Sequence, residues 1–268
     1  MNDVTPKLAI ADPWAALRSH TPARIALGRS GASLPTQAVL EFGLAHARAR
    51  DAVHQALDLD ALDAALRADG YAPLRISSAA PDRTSYLTRP DLGRRLDAAG
   101  AAALAAATSG AGGLGGVGSL EIAITIADGL SARAVQEHAL PLLAALRARA
   151  PARWSALPVV LATQARVALG DAIGENLRAK LAVVMIGERP GLSSPDSLGL
   201  YITHAPRIGR VDAERNCISN VRPAGLGYSE AARKLDWLVG AALARGATGI
   251  ALKDDSDPPA PGRNALPA

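Results

Sequence analysis

Glu121-Ile122-Ala123-Ile124-Thr125-Ile126-Ala127-Asp128-Gly129-Leu130-Ser131 leads into the stretch Ala132 to Arg149, and this pairing decides the fold. A short β-rich run, an Asp-Gly loop and a segment of helical pattern together read as strand, turn and helix. The pattern continues downstream. Strand-like runs are read at Leu157 to Ala162, Leu181 to Gly187, Leu198 to His204 and Gly249 to Leu252, and helices at Asp171 to Leu177 and Ser229 to Arg245. Strands alternating with helices predict an α/β fold with a Rossmann-like, doubly wound, mostly parallel sheet. A parallel connection needs a crossover long enough to hold a helix.

Upstream the pattern is helical. Asp12-Pro13-Trp14 is a capping and first-turn signature for a short helix. After the Gly/Ser/Pro loop from Gly28 to Pro35, the spacing of Val39, Phe42, His46, Val53 and Leu57 predicts a long helix. The polar segment Ala80 to Leu96 links this part to an Ala-rich helix, Arg94 to Ala107. The resulting organisation has four parts. Residues 1–108 form a smaller, mainly helical region that contacts a partner, and 109–118 a glycine-rich linker. Residues 119–256 form the Rossmann-like domain, and 257–268 a flexible tail.

Composition narrows the function. Apolar residues make up 49% of the 268 residues but aromatics only 3%, so the core is built from Ala, Leu, Val and Ile. No apolar run approaches the roughly 18 residues of a membrane span, and the N-terminus lacks the apolar stretch of a signal peptide, which predicts a soluble, cytoplasmic protein. The net charge of +4 comes from arginines scattered through helical patterns. With few aromatics for base stacking, this argues for a solvated surface rather than nucleic-acid binding. Cys217 is the single cysteine, which excludes an internal disulfide and Cys-rich metal clusters, and base rates favour a buried thiol.

Standard catalytic motifs are missing from the sequence. Gly113-Leu114-Gly115-Gly116-Val117-Gly118 has the letters of a dinucleotide site. It follows a helix and precedes a strand, the reverse of the required order, so it reads as linker. The five histidines, His20, His46, His54, His138 and His204, show no metal-ligand spacing, and there is no nucleophile elbow or Walker loop. The informative loops follow the predicted strands: Asp128 to Ser131, Arg166 to Asp171, Gly187 to Ser194 and Asp212 to Asn220. Ligands of open α/β sheets bind at such carboxyl-end loops.

Several motifs, in order, carry a resemblance. They are Arg24-Ile25-Ala26-Leu27-Gly28-Arg29-Ser30-Gly31, Tyr86-Leu87-Thr88-Arg89-Pro90-Asp91-Leu92-Gly93-Arg94-Arg95-Leu96, Asp128-Gly129-Leu130-Ser131, Gly187-Glu188-Arg189-Pro190-Gly191-Leu192 and Cys217-Ile218-Ser219-Asn220. From Arg24 to about Lys253 the chain resembles the small subunits of ethanolamine ammonia-lyases. It departs from them in the glycines of 110–118, in Ala127 where relatives often carry Ser, and in a proline-rich tail from Pro258.

The resemblance implies a cobalamin-binding subunit. The reaction converts ethanolamine to acetaldehyde and ammonia by a radical route, and the cofactor, adenosylcobalamin, carries that chemistry. A large barrel subunit (a TIM barrel) holds the substrate, so this chain alone is expected to be inactive. The location implied is the cytoplasm, inside or outside a bacterial microcompartment. No histidine lies in an Asp-x-His-x-x-Gly context, so the cofactor is expected to keep its own dimethylbenzimidazole on cobalt.

Carried over residue by residue, the family's cofactor contacts fall on Val167, Glu188 and Cys217, with no catalytic or metal-binding residue. Val167 would offer an apolar wall, Glu188 would accept hydrogen bonds from corrin amides, and Cys217 would permit close approach. Taken singly, each has a plainer role: Val167 as core, Glu188 paired with an arginine such as Arg189, and Cys217 as an inert buried thiol. The alternatives for the whole chain are an assembly-only subunit and a free-standing nucleotide-binding α/β enzyme.

Overall fold

The computed structural model describes residues 12–109, 120–155 and 157–257. The glycine-rich linker and the tail expected from the sequence lie, but for Ser109 and Asp257, outside these residues.

Ala15–His20 forms a short 3-10 helix. The chain then runs through α1 (Thr36–His54), α2 (Leu59–Ala68), β1 (Leu74–Ser77), α3 (Arg83–Thr88) and α4 (Ala98–Ser109). There follow β2 (Ile122–Ala127), α5 (Ala132–Arg149), α6 (Pro151–Trp154), β3 (Val159–Thr163), α7 (Leu169–Asn176) and β4 (Leu181–Gly187). β5 (Leu198–His204), β6 (Arg215–Val221) and α8 (Tyr228–Arg245) complete the fold. Helix starts are set locally. Asp58, Asp82 and Ser131 accept hydrogen bonds from the backbone N–H groups of Ala61, Ser85 and Ala134, satisfying donors that a first turn leaves free.

The six strands form one sheet in the order β1-β3-β2-β4-β5-β6. β1, β3, β2 and β4 pair in parallel, whereas β5 and β6 join antiparallel. The Rossmann-like, doubly wound, mostly parallel sheet expected from the alternation is therefore corrected to a mixed α/β sheet. The reason lies in the connections. No helix separates β4 from β5, and only a short 3-10 turn, Asp212–Glu214, separates β5 from β6, so neither link is a crossover.

Two other expectations change. Gly249 to Leu252 was read as a strand, but Gly249 has φ +73° and opens a 3-10 turn. Asp212 to Asn220, expected as a loop, is a 3-10 turn over Asp212–Glu214 followed by most of the edge strand β6. A further strand, β1, comes from the region read as mainly helical, and pairs Leu74 with Val160 and Ser77 with Thr163.

Every residue of β2 and β4 is buried, as their unbroken apolar runs require for strands covered on both faces. On one face, Leu62 and Leu66 of α2, Leu142 and Leu146 of α5, and Leu235 and Val239 of α8 pack against Ile124 and Val183. On the other, Leu104 of α4 and Leu169 and Ile173 of α7 pack against Val160 and Val184. Burying a side chain such as Leu142 stabilises the fold by about 1.5–3 kcal/mol.

Candidate functional site

β2 is followed in sequence by β3 on one side of it and then by β4 on the other. The chain thus reverses direction at β2, and the loops leaving β2, β3 and β4 diverge at their carboxyl ends. Such a switch point is where open α/β sheets hold ligands.

A cleft of about 400 Å³ opens there, lined by Gly129 and Leu130 after β2, Arg166 and Val167 after β3, and Ile186 to Arg189 at the end of β4. Tyr86 of α3 and Tyr201 of β5 complete the lining. Its floor depends on two glycines. A Cβ on Gly129, which has φ +58°, would lie 2.2 Å from the Gly187 carbonyl oxygen, and one on Gly187 would lie 2.0 Å from that of Ser131. Only residues without side chains allow the two loops this close.

Asp128 fixes the loops to one another. Its carboxylate accepts hydrogen bonds from the backbone N–H groups of Gly129 (2.8 Å), Gln164 (2.8 Å) and Ala165 (3.0 Å). Burial pushes its carboxyl up; the three donors and Arg83, 3.5 Å away, oppose that shift. Arg83 reaches from α3 to the carbonyl of Gly129 (2.8 Å). The guanidinium carbons of Arg83 and Arg166 sit 4.6 and 4.2 Å from the Tyr86 ring centre, a cation–π arrangement. Burial pushes the Tyr86 phenol up to about 12, so the ring stays neutral at physiological pH.

Val167 is half-buried, packs against the core through one side and presents the other to the cleft. Glu188 is half-buried at the cleft wall. Its carboxylate pairs with Ser197 Oγ and the Asn220 backbone N–H (3.3 Å) rather than with Arg189. Both bonds converge on Oε2, which turns Oε1 toward Gly199 of β5, where a Cβ would come within 2.8 Å of it.

Cys217 departs from its reading as loop and as buried. It lies within β6 with its side chain partly in solvent. It does not line the cleft itself but faces Tyr201, which does. The surrounding protein still desolvates the sulfur enough to push the thiol up, and the Glu188 carboxylate adds to that, while a hydrogen bond from Tyr201 opposes it. The structure thus brings Val167 and Glu188 into one cleft and places Cys217 behind its Tyr201 wall.

Tyr86, Arg83 and Tyr201 were not singled out from the sequence, and Arg166 was only part of a loop. Tyr86 had a signal, since it opens the motif Tyr86 to Leu96. The rest of that motif also meets the site: Pro90, Asp91, Arg94 and Arg95 line an adjoining groove of about 590 Å³ that shares Arg166 and Val167 with the cleft.

Comparison with known proteins agrees with these motifs. Residues 11–253 match the family model described as ethanolamine ammonia-lyase light chain (EutC). The chain is 54% identical to the ethanolamine ammonia-lyase small subunit of Ralstonia nicotianae, over 96% of this chain and 94% of that one. It is 55% identical to that of Azotobacter vinelandii, over 96% and 93%, and 53% identical to that of Pseudomonas syringae pv. tomato, over 96% and 88%. A family match over most of the chain, together with identity above half across nearly its full length, places this protein in the ethanolamine ammonia-lyase light chain family.

Proposed function

We propose that the chain is the small subunit of an adenosylcobalamin-dependent ethanolamine ammonia-lyase, and that it binds the cofactor and is active only with a large partner subunit. The observation that carries the reading is the switch-point cleft, which gathers Val167 and Glu188 and sets Cys217 behind its wall.

The residues fit such a group. A cleft of about 400 Å³ lies within the range that holds a drug-sized ligand, and a corrinoid is larger, so this chain encloses one portion and the partner covers the rest. Arg166 lines the cleft, and its Nε is buried without a hydrogen-bond partner, a donor suited to a phosphate or amide oxygen. Val167 supplies an apolar wall, and the Glu188 carboxylate at the cleft wall is an acceptor for amide N–H groups. When bound, adenosylcobalamin supplies radical chemistry through homolysis of its cobalt–carbon bond.

The N-terminal region suits a partner. Trp14, Leu40, Phe42 and Leu44 are each about half exposed or more, an apolar display that a lone soluble chain rarely keeps. No described helix is long and apolar enough to cross a membrane.

Co-expression with the large subunit, followed by an ammonia-release assay with and without adenosylcobalamin, tests the reading. Cofactor-dependent turnover by the pair and none by the chain alone is expected. Turnover by the isolated chain, or turnover by the pair without adenosylcobalamin, overturns it.

A further inference from the structure

Away from the cleft, His138 of α5 is buried, with 4% of its side chain exposed. Its Nδ1 lies 2.8 Å from the Tyr228 hydroxyl on α8, but its Nε2 is buried without a hydrogen-bond partner. That nitrogen faces two carboxylates, Asp196 Oδ2 at 3.6 Å and Glu137 Oε2 at 4.0 Å. Both separations are too long for a hydrogen bond. One ligand atom from each of the three residues fits within a span of 4.8 Å.

The outer oxygens are already held. Arg133 Nε donates to Glu137 Oε1 at 2.7 Å, and Arg222 Nη1 lies 3.4 Å from Asp196 Oδ1. Each arginine takes one oxygen and leaves the other turned toward the imidazole. With Tyr228 accepting the Nδ1 proton, Nε2 carries the lone pair, the arrangement by which an outer partner prepares a histidine to ligate.

We propose that Glu137, His138 and Asp196 bind a divalent cation of the zinc class. Zinc–nitrogen and zinc–oxygen bonds of about 2.0–2.2 Å around a tetrahedral ion set neighbouring ligand atoms about 3.4 Å apart. The two distances to His138 Nε2, 3.6 and 4.0 Å, are a few tenths of an ångström wider, and the whole set, which lies within 4.8 Å, closes with side-chain rotations of the two carboxylates. One imidazole and two carboxylates favour zinc over magnesium or calcium, which prefer oxygen ligands alone. Glu137 keeps 42% of its side chain in solvent, so water can fill the fourth position. Neighbouring histidine and glutamate joined by a distant aspartate follow no metal-ligand spacing, which is why the sequence did not show the site.

The ion would join α5 to the segment between β4 and β5, whose first residue is Glu188. Ser131 already donates to the Pro195 carbonyl in that segment at 2.8 Å. The cation is thus a structural clamp, and the assignment stands independently of the cofactor reading.

The test is titration of the full-length chain, free of any affinity tag and stripped by chelator, with Co²⁺ as a visible-absorption probe and Zn²⁺ as competitor. Saturable Co²⁺ binding with ligand-field bands, displaced by Zn²⁺, is expected. Asp196→Asn and Glu137→Gln should each weaken it by about tenfold or more. His138→Gln removes a buried group and risks the fold, so Glu137→Gln, at a half-exposed position, keeps the test decisive. Zn²⁺ should also raise the Tm of the wild type but not of Glu137→Gln. No saturable binding of either metal by the wild type, or equal binding by the folded carboxylate variants, overturns the assignment.

Discussion

Tyr201 of β5 and Cys217 of β6 stand directly opposite one another in an antiparallel pair, and the Tyr201 hydroxyl opposes the rise that burial imposes on the Cys217 thiol. The strand that carries the only cysteine is thereby coupled to the wall of the cleft.

Desolvation by the surrounding protein makes Cys217 slow to react. Its thiol is pushed up by desolvation, so less thiolate, the reactive form, exists at neutral pH than for a free cysteine. Iodoacetamide labelling of the folded chain should accelerate with pH through a midpoint above the ordinary value of about 8.5. Tyr201→Phe removes the opposing hydrogen bond and should move that midpoint higher. A midpoint at or below the free-cysteine value would contradict the described surroundings.

Glu188→Ala should weaken adenosylcobalamin binding in the assembled enzyme more than it weakens ethanolamine binding. A charged acceptor contributes about 1.5–3 kcal/mol, which corresponds to a loss of roughly ten- to a hundredfold. Cofactor titration at matched folding and assembly checks this. Unchanged cofactor affinity would assign Glu188 only to holding Ser197 and Asn220.

Asp171→Ala should destabilise the fold by about 3–5 kcal/mol. Arg215, with 2% of its side chain exposed, donates to both carboxylate oxygens of Asp171, at 2.5 and 2.7 Å, and would lose its one buried counter-charge, keeping only the solvent-exposed Asp212 at 3.5 Å. Chemical denaturation measures the loss. A cost under about 1 kcal/mol, the range of an exposed pair, would mean that water reaches Arg215.

The cofactor should bind with its own base on cobalt. Electron paramagnetic resonance of the cob(II)alamin state, with isotopically labelled histidine in the protein, reads this directly. Nitrogen splitting that changes with the histidine label would refute it.

The strands at the centre of the sheet were legible because burial on both faces leaves an unbroken apolar run, as in Leu181 to Gly187. The two edges were not. β1 has only Leu74 and Ile76 as apolar residues, and β6 exposes Cys217, Ser219 and Asn220, so neither carries that signal. The direction of β5 was hidden too, because Leu198 to His204 has the same composition whether it runs parallel or antiparallel. At the site, Glu188 and Val167 came from a family pattern. Arg83 and Tyr201 reach the cleft region from elements that meet only in three dimensions, a juxtaposition that spacing along the chain does not encode.

The pairing of β1 with β3 has a consequence during synthesis. Ser77 and Thr163 share a hydrogen bond across 86 residues of sequence. At translation rates of about 5–20 residues per second, β1 emerges from the ribosome roughly 4 to 17 seconds before its partner strand exists. Through that interval the nascent chain carries an unmatched strand and, as they emerge, the apolar residues of α2 and α4 without the completed sheet to cover. Newly made chains are therefore most prone to stray association before β3 arrives, and slow translation ahead of Val159 would lengthen that exposure.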